Sequence, residues 1–155
     1  MQYLLATLAL CWASPNTLLG LLIGGLGCCT GGTVRRYGRV LEFHGGGTSW
    51  LLNRVPGDGY IYAMTLGHTL LGQSAEALDI SRRHEMVHVR QCEIWGPFFL
   101  PAYGLASLYM WLTGRRAYRD NPFERQAYAV DGDPWQAHVC QTKPKPKSPP
   151  ASQTS

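Results

Sequence analysis

His84 and His88, four positions apart in His84-Glu85-Met86-Val87-His88, constrain this chain more than any other feature of it. At 3.6 residues per turn, positions i and i+4 share one helix face, roughly 5–6 Å apart at Cβ. Two imidazoles placed this way can reach one zinc ion with bonds of about 2.0–2.1 Å. Glu85 lies about 100° round the same helix, close enough to act on water beside the ion without ligating it. The segment therefore has to be helical, and a further ligand has to come from elsewhere in the chain, because a catalytic zinc takes three protein ligands and keeps one position open.

The spacing is the H-E-x-x-H signature of zinc peptidases. Candidates for the third ligand are His44, His68, Glu93, Asp120, Glu124 and His138. Glu93 is five positions beyond His88 and about 140° away round the helix, so it reads as a solvated surface charge. Glu124 opens a segment in which Asn121 is a good N-cap and Pro122 a good first helical residue. Ala127, one turn on, is small enough to let two helices approach closely. His44 and His138 stay open as candidates.

The apolar pattern adds a second constraint. Residues 1–34 carry no charged side chain, and the first charges are Arg35 and Arg36. Two readings fit. One is a single kinked membrane helix over residues 3–28, long enough to cross about 30 Å of hydrocarbon. The other is two short helices split at Pro15, forming a re-entrant or core element. A secretory signal fits less well, since no positive segment precedes the apolar run, and Leu26-Gly27-Cys28 is only a degenerate lipoprotein box. If the segment spans, Arg35, Arg36 and Arg39 place the rest of the chain on the cytoplasmic side. Residues 94–114 are also uncharged, but Pro97, Pro101 and Gly104 break their first half, leaving a helix over about 102–113.

Between these runs, residues 37–72 read as a small antiparallel meander. Residues 39–44 alternate in period two, Gly45-Gly46-Gly47 turns the chain, and residues 48–52 form a second strand. Pro56-Gly57-Asp58-Gly59 is a turn signal, residues 60–66 a third strand, and residues 67–72 its continuation or a fourth edge strand. Residues 75–95 read as a helix capped by Ser74 or Asp79, with Ile80, Val87 and Ile94 marking a core stripe and Gly96-Pro97 ending it. A last helix runs from Asn121 to about Val130. Residues 141–155, rich in Lys, Pro and Ser, lack the means to build a core and are expected to be disordered.

Composition narrows the functional classes. The net charge of +4 is scattered, with Lys143, Lys145 and Lys147 in the tail, so no nucleic-acid face is implied. The 5 cysteines are odd in number and irregularly spaced, without C-x-x-C, which is no disulfide framework and favours a reducing compartment. Cys28 and Cys29 read as packing or lipid-facing thiols, with acylation as the alternative.

His84-Glu85-x-x-His88 followed by a helix carrying Glu124-x-x-Ala127 resembles the gluzincin zinc metallopeptidases, in particular the small minigluzincins, over about residues 59–131. The resemblance implies an α+β, zincin-like fold: a small antiparallel sheet, the H-E-x-x-H helix, then a glutamate-bearing helix. It implies zinc held by His84, His88 and Glu124, with Glu85 as general base of peptide-bond hydrolysis. Residues 64–71 match the substrate-binding edge strand by position, and Tyr118, Tyr128 and His138 are candidates for stabilising the transition state. The expected organisation is an apolar membrane-associated segment at 1–34, a metallopeptidase domain at 35–140 and a tail at 141–155. The expected activity is that of a membrane-associated zinc metallopeptidase acting on a peptide or protein, with its catalytic domain cytoplasmic. The alternative is a non-catalytic zinc-binding or membrane scaffold. If the three ligands share one ion, both ends of residues 94–114 lie on the same side of any membrane, so that stretch cannot cross it once.

Overall fold

A computed structural model describes residues 2–55 and 62–132; the turn expected at residues 56–59, the candidate His138 and the tail at 141–155 lie outside them. The architecture is α+β, with a four-stranded mixed sheet and six helices among the described residues. The strands are β1 (Thr33–Tyr37), β2 (Val40–His44), β3 (Ala63–Leu66) and β4 (Thr69–Gly72). The helices are α1 (Gln2–Trp12), α2 (Ser14–Cys29), α3 (Gly46–Leu52), α4 (Ala75–Trp95), α5 (Phe99–Leu112) and α6 (Pro122–Asp131).

The sheet order is β1-β2-β4-β3. Two hairpins close on two-residue turns, Gly38-Arg39 and Gly67-His68, with the glycines at φ 55° and 62°, where L side chains are strained. The expected antiparallel meander is corrected on one count: β2 and β4 pair in parallel, Leu41 with Thr69 through His44 with Gly72. A parallel pair needs a crossover, and α3 supplies part of it. Residues 48–52, expected as a strand, belong to this helix. Gly45 and Gly46, at φ 80° and 49°, let the chain turn sharply into it. Residues 69–72 form a central strand rather than an edge, and β3 is the edge strand beside the H-E-x-x-H helix.

The N-terminal segment divides at Pro15, as the second reading had it. Pro15 has no N–H to offer the carbonyl of Cys11, and the Ser14 hydroxyl donates to that oxygen instead, at 2.7 Å. Backbone bonds from Ala13 N to Ala9 O and from Thr17 N to Ala13 O carry the chain through the joint. Among the described residues no helix is long and apolar enough to cross a membrane. Helix α2 lies on the sheet instead, burying Asn16, Gly20, Gly24 and Gly27. A Cβ on Gly20 would come within 1.6 Å of Thr69 Oγ1, and one on Gly24 within 2.4 Å of the Phe43 ring. Glycine is what allows that approach.

On the other face of the sheet, Val40, Ala63, Leu70, Leu78 and Val89 form a core that seats α4. The expected stripe of Ile80, Val87 and Ile94 is not the buried one: Ile94 is 62 % exposed. Helix α4 buries Ala77, Leu78, Ser81, His84, Glu85, His88, Val89, Gln91 and Cys92 instead. Its inward face is half polar, and those polar groups build the site.

Candidate metal centre

Helix α4 starts where expected, with Ser74 Oγ accepting from Ala77 N at 3.1 Å, and ends at Gly96, φ 54°. Helix α6 starts on Asn121, whose side chain accepts from Phe123 N at 3.0 Å. The two pack closely because Ala127 at the contact is small and fully buried. Glu124, in the first turn of α6, thereby faces His84 and His88 across the interface.

His84 Nε2 lies 3.2 Å from Glu124 Oε2, His88 Nε2 3.3 Å from Glu124 Oε1, and the two Nε2 atoms 3.3 Å apart. Ligands about 2.0–2.1 Å from a tetrahedral centre stand about 3.3 Å from one another. Each separation is close to that edge, with Glu124 turning a different oxygen to each imidazole, and one ligand atom from each residue lies within 4.8 Å of the others. All three residues are buried, and the group is close enough to bind a metal ion. Two imidazole nitrogens held nitrogen to nitrogen beside a buried carboxylate are unfavourable unless a cation or a proton lies among them.

Without an ion, protons do that work. Burial disfavours charge on Glu124, but hydrogen bonds from His84 and His88 outweigh it and bring its pKa down to about 2. Burial likewise opposes charge on His88, yet the bond to Glu124 and the charge of Glu85 raise its pKa to about 9. A divalent ion at this point would displace the proton that His88 holds, because an imidazole ligates only through a free lone pair.

Surrounding residues fix the ligands. His88 Nδ1 lies 2.8 Å from Gln91 Oε1, an acceptor, so Nδ1 carries the proton and Nε2 keeps its lone pair for the centre. The amide of Gln91 donates to Phe123 O at 3.1 Å and to Gln126 Oε1 at 2.8 Å, tying α4 to α6. The Tyr103 hydroxyl donates to Glu124 Oε1 at 2.7 Å, and burial together with that carboxylate raises its pKa. Asn121 Nδ2 donates to Tyr103 O and to Ser107 Oγ, fastening α5 to the start of α6. The ring of Tyr128 covers His84 at 4.8 Å between centroids. The sequence pointed to Tyr128 and Tyr118 but not to Gln91, Tyr103 or Thr65. Gln91, seven positions from His84 on the same face, was the one that spacing could have found.

Glu85 is buried in the same cleft, and Thr65 of β3 donates to its Oε2 at 2.7 Å. A cavity of about 360 Å³ opens here. Met64, Thr65 and Leu66 of β3 form one wall, Leu100, Tyr103 and Ser107 of α5 another, and Glu85, His88, Glu124 and Tyr118 also line it. Among the described residues no strand pairs with the outer edge of β3.

The other candidate ligands lie elsewhere. Glu93 is not the solvated charge expected: its side chain is 5 % exposed and accepts from Arg39 at 2.8 Å and Arg90 at 3.2 Å, with His68 Nε2 at 3.2 Å. His68 is thereby engaged on the far side of α4. Asp120 is held by Arg116 at 3.1 Å, and His44 is on β2.

No family model, curated protein or solved structure matches the chain. The reading of the site rests on its own geometry.

Proposed function

We propose that the protein is a membrane-associated zinc metallopeptidase of gluzincin type, hydrolysing peptide bonds with Glu85 as general base. The single observation that carries this reading is the convergence of buried His84, His88 and Glu124, one ligand atom from each within 4.8 Å of the others, with Glu85 lining the adjoining cavity. The residues fit a divalent ion, and an imidazole-rich, carboxylate-completed set suits zinc. When bound, such an ion supplies Lewis acidity to a scissile carbonyl and to water.

The chain's own groups do the rest. Thr65 occupies Oε2 of Glu85, which leaves Oε1 to take a proton from the attacking water and later give it to the leaving amine. Gln91 and Tyr103 hold His88 and Glu124 in place, so their geometry does not have to be found at each turnover. The open edge of β3 suits an extended peptide, which would pair by backbone hydrogen bonds and lay its side chains into the apolar cavity. Tyr118 also lines that cavity, and its hydroxyl is the group proposed to donate to a developing oxyanion.

Glu85→Gln tests the assignment. The variant is expected to keep its metal and lose hydrolysis of a peptide pool. Retained hydrolysis removes Glu85 from the role of base, and a wild-type protein that binds metal but cleaves nothing favours the scaffold alternative.

A further inference from the structure

The fold brings the two uncharged stretches of the sequence to one place. Trp12 Nε1 donates to Ile94 O at 3.3 Å, and Asn16 Nδ2 donates to Gly96 O at 2.7 Å. The rings of Trp12 and Phe98 stand 6.3 Å apart, and Ala13, Cys92 and Phe99 form a small core beneath them. The α1–α2 joint is thus fastened to the turn between α4 and α5.

What these helices show to the outside is apolar. Leu18 and Leu22 of α2 are 64 % and 61 % exposed, Phe98 is 62 %, and Leu105, Trp111 and Leu112 of α5 are 66–68 %. A surface helix of a soluble protein normally turns charged residues outward. Helix α5 has none on any face, and its inward face is already used by Phe99, Tyr103 and Ser107. An exposed apolar surface of this extent marks a binding site.

Charge and length identify the occupant. No carboxylate occurs in residues 1–34 or 95–114, whereas Arg35 and Arg36 follow the first run and the exposed Arg115 and Arg116 follow the second. Arg35 is paired with Glu42 and Asp79 and Arg116 with Asp120, so the exposed Arg115 directly after α5 is the cation left for a headgroup. An uncharged helix with Trp and Tyr among its leucines and an arginine just past its end complements anionic headgroups over acyl chains. At 14 residues, α5 extends about 21 Å, short of the roughly 30 Å of hydrocarbon. It can lie in one leaflet but not cross.

We propose that α5, the turn before it and the outer face of α1–α2 form one surface that lies in the headgroup region of an anionic bilayer, so that the cleft takes peptide segments presented at that bilayer. The second half rests on the peptidase reading. It follows from α5 having two faces: Leu105, Leu108 and Leu112 point outward, while Leu100, Tyr103 and Ser107 wall the cavity. The helix that meets lipid is the one a substrate must pass.

The test uses the full chain, purified and freed of detergent, with vesicles of phosphatidylcholine alone or mixed with phosphatidylglycerol. Wild type is expected to sediment with the mixed vesicles at least about tenfold better than with the neutral ones. Leu105→Glu/Leu112→Glu should abolish sedimentation with metal content and thermal melting unchanged, and Arg115→Glu should reduce the preference for anionic lipid. A wild type that ignores vesicles, a Leu105→Glu/Leu112→Glu protein that still binds them, or a stable dimer that the same substitutions dissociate overturns the proposal. With a peptide offered free or lipid-tethered, cleavage of the tethered form should be at least about tenfold faster, and equal rates refute the substrate assignment. Vesicle binding through α5 with no cleavage of either peptide upholds the surface and sinks the peptidase reading, while cleavage without vesicle binding does the reverse.

Discussion

Replacing Gln91 by Leu separates a real metal centre from a chance meeting of polar side chains. Gln91 makes three contacts at once: it accepts at 2.8 Å from His88 Nδ1, and its amide donates to Phe123 O and Gln126 Oε1. Leucine fills similar space and makes none of them. Without the acceptor, the His88 ring loses both its tautomer and its orientation, and loss of such an outer partner weakens metal binding about 10–100-fold, about 1.4–2.7 kcal/mol. The Phe123 carbonyl loses its partner as well, at a further cost in stability of about 1–3 kcal/mol. Competition with a chromogenic chelator reads the first quantity and denaturant unfolding of the metal-free protein the second. Gln91→Glu is the control: it restores an acceptor for His88 Nδ1 but not the two donated bonds, so metal affinity should recover while stability does not. Unchanged metal affinity in Gln91→Leu would refute the claim that His88 serves through Nε2.

Thr65→Val should leave metal content intact and lower kcat about tenfold, because a hydrogen bond to a charged carboxylate is worth about 1.5 kcal/mol or more; an unaltered kcat would detach Thr65 from Glu85. Glu42, fully buried, is pushed up by burial but pulled further down by Arg82 and Arg35, so its folded pKa lies below its unfolded one. The stability this contributes is present above the ordinary Glu value of about 4.3 and is lost as pH falls through the lower folded value, so the melting temperature should drop on acidification and Glu42→Gln should flatten that slope, as a pH series of melts would show. Gly24→Ala should destabilise by about 1–3 kcal/mol or more, since its Cβ would meet the Phe43 ring at 2.4 Å, whereas Gly25→Ala, with nothing within 4 Å, should be neutral or stabilising by chemical denaturation.

The parts legible in the sequence were those written locally. The H-E-x-x-H spacing, the Ser74 and Asn121 caps and Pro122 fix two helices from neighbours a turn away, and these two helices carry His84, His88 and Glu124. What depended on distant partners was not legible. Residues 48–52 look like a strand by composition, but they belong to a helix packed on α2, where Thr48 meets Gly27, and that partner is distant in sequence. The parallel pairing of β2 with β4 joins residues 28 positions apart, which no periodicity reveals. Glu93 looked solvated because Arg39 and His68, which bury it, come from other elements. Gly20, Gly24 and Gly27 looked like part of a membrane helix because the feature that explains them, the sheet beneath, is assembled from residues 33–72.

The central claim is that His84, His88 and Glu124 hold one divalent ion. Elemental analysis of the purified wild type beside His84→Ala and Glu124→Ala tests it most directly. About one equivalent of zinc per chain in the wild type, falling to a small fraction in both variants while each still melts cooperatively, is the expected result. No metal in the wild type, or a full equivalent remaining in Glu124→Ala, would contradict it.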